Sequence, residues 1–299
     1  MMLRQARPGR TRRGIALVLV LWLLVLLSVI AGSFVYSVRN NTRLAANMLD
    51  SARARALADA GVERGAFELL KPTADLTRWL PDGARHAMAL GGARIEVTLD
   101  DEAGRIDLNT APPALLTSLL QSVGVAPDRA SQLAQTLVEW RAATAPAGAA
   151  TVTALHGPLT SLDALQAVPG ITPALYRRLA PLVTVYSGEA GVNTALAPAG
   201  VLLALPGIDP ALVRSYVEQR RALRAAHQPV PALAQAGAYG VNAVSGAFRI
   251  RAVAQLRDGM RFARVAVVRV LGNRSAPLRF LSWREADLAP VAAPGQTPG

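Results

Sequence analysis

The chain of 299 residues contains no cysteine, which excludes a disulfide, a cysteine-ligated metal and a thiol nucleophile. That absence suits either side of a membrane and identifies no compartment. Histidine is scarce: His86, His156 and His227 are the only three, and none has the HExxH spacing that a helical zinc site needs. There is no GxSxG and no P-loop. These absences speak against an enzyme. Lysine is all but missing, with Lys71 alone and 31 arginines making up the basic residues. That is a bias of genome composition more than 31 recognition sites. The length allows one large or two modest domains beyond any membrane segment.

The most informative absence is local. From Ile15 to Tyr36, 22 residues carry no Asp, Glu, Lys, Arg or His. A bilayer core about 30 Å thick needs roughly 20 apolar residues at about 1.5 Å rise each, so this run is long enough to span. A soluble helix of this composition would have to bury every face. Before it stand Arg4, Arg7, Arg10, Arg12 and Arg13 with no acidic residue, which holds this end in the cytoplasm and sends the rest outside it. Removing those five charges lowers the net charge from +12 to +7, a modest value for the length.

Three readings of this N-terminus compete. A cleavable secretory signal has an apolar region of about 7–15 residues and a small-x-small cleavage site; here the run is longer, and Ala31-Gly32-Ser33 falls inside it. A plain signal anchor needs only the charge and the length. The third reading rests on the junction Gly14-Ile15, where a short basic leader meets the apolar run without a polar spacer. This resembles a type IV prepilin leader. The resemblance implies a prepilin peptidase that cuts after Gly14 and methylates Ile15. It also brings a departure, because such subunits usually carry Glu at the fifth mature position and this chain has Leu19. A carboxylate in a membrane helix is costly, and in the family it meets the N-terminal amine of a neighbouring subunit. Leu19 cannot make that pair.

The helical pattern continues from Arg39 to Leu70, without proline and rich in Ala, Leu and Arg, all good helix formers. Pro72 stops it. A continuous helix over Ile15–Leu70 is expected, with a break near Asn40-Asn41 as the alternative. Gly61 and Gly65 could bend it or permit close packing. Asp75–Gly92 reads as a loop. Arg94–Leu99 alternates with period two and reads as a half-buried strand. Asp100–Gly104 reads as a turn and Arg105–Leu108 as a second short strand, completing a hairpin. Pro112-Pro113 opens a helix.

Between Ala111 and about Ala238 the chain turns helical, with a short pattern recurring as Gly124-Val-Ala-Pro127, Gly170-Ile-Thr-Pro173 and Gly207-Ile-Asp-Pro210. Glycine closes one helix in the left-handed conformation. The next residues turn and cap, and proline opens the following helix, where a missing N–H costs nothing. Thr172 and Asp209 are good N-caps and Ala126 is not. A second echo, Asn109-Thr-Ala111 and Asn193-Thr-Ala195, precedes two of these units. The segment is therefore an all-α array with internal repetition, and Thr144–Thr153 is its internal loop.

The pattern also resembles helix-hairpin-helix modules that bind DNA backbones. Backbone binding needs Lys or Arg near the phosphates, and the candidates Arg129, Arg177, Arg178, Arg214, Arg220, Arg221 and Arg224 are patchy. Packing is the competing role. From Val241 the period returns to two: Ala247–Ala254 and Arg261–Val270 flank the turn Asp258-Gly259, and Leu278–Trp283 is a third strand. Nine arginines lie between Arg249 and Arg284 and read mostly as a solvated face. The tail, rich in Pro and Ala, reads as disordered.

Taken together, Gly14-Ile15, Leu19, the segment Asp101-Glu-Ala-Gly-Arg-Ile-Asp-Leu-Asn-Thr-Ala111, Val168-Pro-Gly170, Leu205-Pro-Gly207 and the strands from Val241 resemble the minor pseudopilin K family of type II secretion systems (GspK). The resemblance covers nearly the whole chain. It implies an α+β fold: a pilin-like long N-terminal helix and antiparallel sheet with a large inserted all-α domain of helix-hairpin-helix or SAM-like type. The parts expected are a prepilin leader at 1–14, a transmembrane segment at 15–36, the pilin-like helix and first strands at 37–110, the insertion at 111–238, C-terminal strands at 239–288 and the tail at 289–299. The implied role is to cap the tip of the periplasmic pseudopilus with minor pseudopilins I and J and to help start its assembly. The chain would sit in the inner membrane, and no nucleic acid is expected as a partner. The alternative is a membrane-anchored DNA-binding helix-hairpin-helix protein. The family also brings calcium as a candidate cofactor. Asp100, Asp101 and Glu102 lead the available oxygen ligands, followed by Asp107, Glu189 and Asp209, but no spacing singles them out, and a surface turn at Asp100–Glu102 competes.

Overall fold

The computed structural model describes residues 13–142, 157–226, 228–272, 275–286 and 288. Most of the leader, the expected loop Thr144–Thr153 and the tail 289–299 lie outside the described residues. Two compact units are present, Met1–Arg53 and Ala54–Gly299.

One helix, α1 (Arg13–Leu70), runs through Asn40-Asn41 without interruption. In the first unit its stretch Leu17–Phe34 has a mean hydropathy of 2.8 and no residue buried. It is long and apolar enough to cross a membrane. Leu19 and Trp22 are exposed on it.

In the second unit the remainder of α1 packs on a five-stranded sheet. The strands are β1 (Asp82–Leu90), β2 (Ala93–Asp101), β7 (Ala247–Gln255), β8 (Arg261–Val270) and β9 (Leu278–Glu285), in that spatial order. Every neighbouring pair is antiparallel. The inward face shows the alternation that a half-buried sheet requires. Ile95, Val97 and Leu99 of β2 join Phe248, Ile250, Ala252 and Ala254 of β7 in a core with Ala54, Leu57, Ala58, Val62, Ala66 and Leu69 of α1. The two helix glycines set how close helix and sheet lie. A Cβ on Gly61 would meet Ala252 Cβ and Ile95 Cγ2 at 2.8 Å, and one on Gly65 would meet Ile250 Cγ2 at 2.6 Å.

Two expectations change here. Asp82–Leu90, read as part of a loop, is the edge strand β1. Its sequence DGARHAMAL lacks an apolar alternation because an edge strand needs little burial, and its register comes from β2. The joining turn, Gly91-Gly92, has φ of 57° and 80°, the double positive φ of a two-residue hairpin turn that glycine permits. Second, Arg94–Leu99 does not form its hairpin with Arg105–Leu108. Strand β2 continues to Asp101, a single 3-10 turn follows at Glu102–Gly104, and β3 (Ile106–Asp107) pairs in parallel with β4 (Val183–Thr184) instead. The hairpin partner of β2 is β1.

The segment between β2 and β7 holds α2 (Pro113–Ser122), α3 (Pro127–Ala142), a 3-10 helix (Leu162–Ala167), α4 (Pro173–Leu179), α5 (Ala199–Leu202), α6 (Pro210–Ala225) and a second 3-10 helix (Ala234–Tyr239). Besides β3–β4, one further parallel ladder joins β5 (Val192–Asn193) to β6 (Gly240–Val241). It has its own core, in which Leu115, Leu116, Leu119, Leu120, Leu165, Leu179 and Leu202 are buried. Because β2 and β7 are sheet neighbours, with Asp101 opposite Phe248, this helical region leaves and rejoins the sheet at one end. Gly61 of α1 faces Ile95 and Ala252, while Gly65 faces Leu99 and Ile250. The helix therefore runs toward the end of the sheet from which the insertion grows.

Candidate functional site

The stretch Asp100–Ala111 is the joint between sheet and insertion, and its four charged residues from Asp101 to Asp107 are buried rather than set on a surface turn. Glu102 is fully buried, and Asp101, Arg105 and Asp107 nearly so. The physical reason lies across the chain. Arg249, on the β7 residue opposite Asp100, donates through Nε and Nη2 to the two Glu102 carboxylate oxygens at 2.7 and 3.2 Å. Such a planar fork suits a carboxylate. Arg105 adds Nη2 to Asp100 Oδ2 at 3.5 Å and Nη1 to Glu102 Oε1 at 4.0 Å. Burial alone would raise the Glu102 pKa, but Arg249 and then Arg105 hold it below the usual carboxylate range. Burial lowers that of Arg105.

The flanking aspartates bind backbone. Asp101 Oδ1 accepts from Ala103 N, capping the 3-10 turn, and from Ser245 Oγ at 2.6 Å, just before β7 begins. Asp107 accepts from Asn109 N, Gly188 N and Ser187 Oγ. Burial raises the pKa of both, partly offset by these hydrogen bonds. Gly104 has no room for a side chain: a Cβ would lie 2.9 Å from the Leu196 carbonyl. Asn109 donates to Leu159 O and accepts from Leu159 N, at 2.9 and 2.7 Å, mimicking a backbone pair.

The recurrence of Asn-Thr-Ala has a structural counterpart. Arg141, near the end of α3, donates to the carbonyls of Leu108 and Ala111. In the second copy Arg220 donates to Thr194 and Ala197, and Arg224 to Ala195 and, back in β1, Asp82. Burial, then the neighbouring Arg224, pulls the Arg220 pKa down to about 10. Sequence reasoning missed these clamps, yet a signal was there: Arg141 and Arg224 stand 83 residues apart, as do Gly124 and Gly207, and Pro127 and Pro210. No such signal marks Arg249, which alternation places on a solvated face although its partner is 147 residues away.

Each hairpin glycine is left-handed, with φ of 85° at Gly124, 87° at Gly170 and 70° at Gly207. Pro127, Pro173 and Pro210 open α3, α4 and α6. Thr172 Oγ1 accepts from Leu175 N, and Asp209 Oδ1 from Ala211 N. The arginines weighed for phosphate contact divide. Arg178 donates to Val123 O, and Arg220 and Arg224 serve the clamps. Arg129 packs under Gly170, whose added Cβ would lie 2.6 Å from its Nη2. Arg177, Arg214 and Arg221 are exposed.

The carboxylates considered for calcium do not converge on one point. Asp100 faces Arg105, Asp101 faces Ser245, and Glu102 faces Arg249. Asp209 caps α6. Among the described residues no group of three or more His, Asp or Glu side chains could hold a metal ion. Gly14 and Ile15 lie in the first turn of α1.

These features define a protein with an N-terminal apolar helix, an antiparallel sheet and a helical region inserted through a buried ionic joint. Residues 98–188 match the family described as "Type II secretion system (T2SS), protein K". The match runs from β2 through the joint and the β3–β4 ladder to Gly188, which donates to Asp107. The chain is 28% identical over 227 residues to the type II secretion system protein K of Klebsiella pneumoniae, spanning 64% of this chain and 69% of that protein. A solved GspK-GspI-GspJ complex from the type II secretion system of enterotoxigenic Escherichia coli contains a chain with 18% identity and a TM-score of 0.47, over 83% of this chain and 99% of that one. Over residues 98–188 and, at 28% identity, over the longer alignment, the chain is similar to protein K of type II secretion systems.

Proposed function

We propose that this protein is a minor pseudopilin of a type II secretion system, which caps the tip of a periplasmic pseudopilus, assembles there with minor pseudopilins I and J, and helps initiate the filament that exports folded proteins. The observation that carries the reading is the placement of the insertion. It grows from the end of the sheet toward which α1 runs, where the next subunit of a helical stack would have to sit. A bulky domain there permits subunits below and none above. Leu19 supports the same reading, since without a carboxylate it offers no partner to a neighbour's N-terminal amine. The chain is processed after Gly14 by a prepilin peptidase and methylated at Ile15. Its N-terminus faces the cytoplasm and its second unit the periplasm. The role is structural, without catalysis.

The test is to label the second unit with gold in cells that overassemble pseudopili and to record where the label falls by electron microscopy. One label at one end of each filament is expected, together with a mature N-terminus at methylated Ile15 by mass spectrometry. Label distributed along the filament would refute the cap.

A further inference from the structure

Away from the joint, the outer face of the sheet carries a concave groove of about 250 Å³. Register sets the outward-facing side chains of the sheet here in rungs across four strands, and Leu288 completes the lining. One rung is Ala89, Arg94, Gln255 and Arg261; the next is Ala87, Glu96, Val253 and Ala263; the third is Arg85, Thr98, Arg251 and Val265. Arginines therefore stand on both sides of a rung of mostly small residues. The outer rungs are four residues apart along β2, about 13–14 Å at the rise of a strand. Four guanidinium groups face one floor carboxylate, Glu96, which Arg85 meets at 3.4 Å. The only other acid in the lining, Asp100, is engaged by Arg105. Arg94 and Arg261 are exposed, and among the described residues no side-chain hydrogen bond or ion pair holds either.

We infer that this groove is a docking surface for a carboxylate-rich peptide segment of a partner protein. Charge complementarity carries the choice: planar guanidinium forks on both walls suit carboxylates in two-pronged pairs, and Val253 and Leu288 give the lining apolar contact for the segment's carbon stems. A single-stranded nucleic acid fits less well, because it needs aromatic platforms for its bases and the lining has none. Exposed pairs of this kind weaken with salt.

The probe is a fluorescein-labelled octaglutamate peptide, titrated with the full-length protein in detergent micelles and followed by anisotropy at low and high salt. Saturable binding that salt weakens is expected. The double variant Arg94→Glu/Arg261→Glu should bind at least tenfold more weakly. The control Arg177→Glu/Arg214→Glu, with the same charge change on exposed residues of the insertion, should change affinity less than twofold. Glu96→Gln removes the repulsive floor charge and should bind several-fold tighter, a gain that misfolding cannot produce. The inference is overturned by absence of saturable binding, by equal loss in the two double variants, or by Glu96→Gln binding no tighter than the wild type. Displacement of the peptide by a single-stranded oligonucleotide at lower concentration than by unlabelled peptide would reassign the groove to nucleic acid.

Discussion

Replacing Glu102 by alanine tests whether the joint between sheet and insertion depends on its buried ion pair. The Glu102 side chain is 0% exposed and that of Arg249 10%. Without the carboxylate, two buried guanidinium groups remain, and Arg105 keeps only Asp100 at 3.5 Å. Stranding one member of a buried pair costs about 3–5 kcal/mol, against a total domain stability on the order of 5–15 kcal/mol. For a domain of this size that corresponds to a melting-temperature drop of about 6–20 °C. The pair itself need not be net stabilising, because desolvation offsets much of the attraction. Glu102→Leu/Arg249→Met should therefore recover most of the loss. The less buried comparator Asp59→Asn, which removes the charge from the 2.6 Å contact to Arg264 across α1 and β8, should cost less, about 1 kcal/mol. Thermal melts of the full chain in detergent, read by circular dichroism, supply all four values. A single variant that melts within 2–3 °C of the wild type, on the scale of about 2–4 °C per kcal/mol, or a double variant as unstable as the single, would refute the reasoning.

Two further outcomes follow from the same geometry. Gly65→Ala gains about 1 kcal/mol of helix propensity, but its Cβ would sit 2.6 Å from Ile250 Cγ2 and 2.9 Å from Leu99 Cδ2. Overpacking costs about 1–3 kcal/mol, so it should lower the melting temperature, whereas Gly32→Ala, with nothing within 4 Å, should not. On acidification, the contribution of Glu102 is complete above its ordinary pKa of 4.5, because its folded pKa is lowered, and is lost as pH falls through the folded value. Asp101 and Asp107 act in the opposite sense, since their raised folded pKa means that ionisation costs stability and protonation relieves it. The acid limb of a melting-temperature profile should therefore begin only below pH 4.5, and should be shallower in Glu102→Leu/Arg249→Met than in the wild type. An equal slope in both would exclude Glu102 as its source.

How much was legible in the sequence depended on the range of the interaction that decides each feature. The apolar run Ile15–Tyr36, the alternation in β8 and the Gly-x-x-Pro junctions are decided within a few residues, by hydropathy, period and backbone geometry. Sequence alone therefore determined an apolar helix long enough to span a bilayer, a sheet and a helical insertion between strands. Only the tertiary structure decided what depends on distant partners. β1 is a strand because β2 pairs with it, and its own residues carry no alternation. Asp101 and Glu102 are buried because Arg249 and Ser245, more than 140 residues later, arrive beside them through the pairing of β2 with β7. Arg141 and Arg220 look like surface cations on their helices, yet the fold places backbone carbonyls within their reach, and a buried guanidinium is stable only where such acceptors surround it.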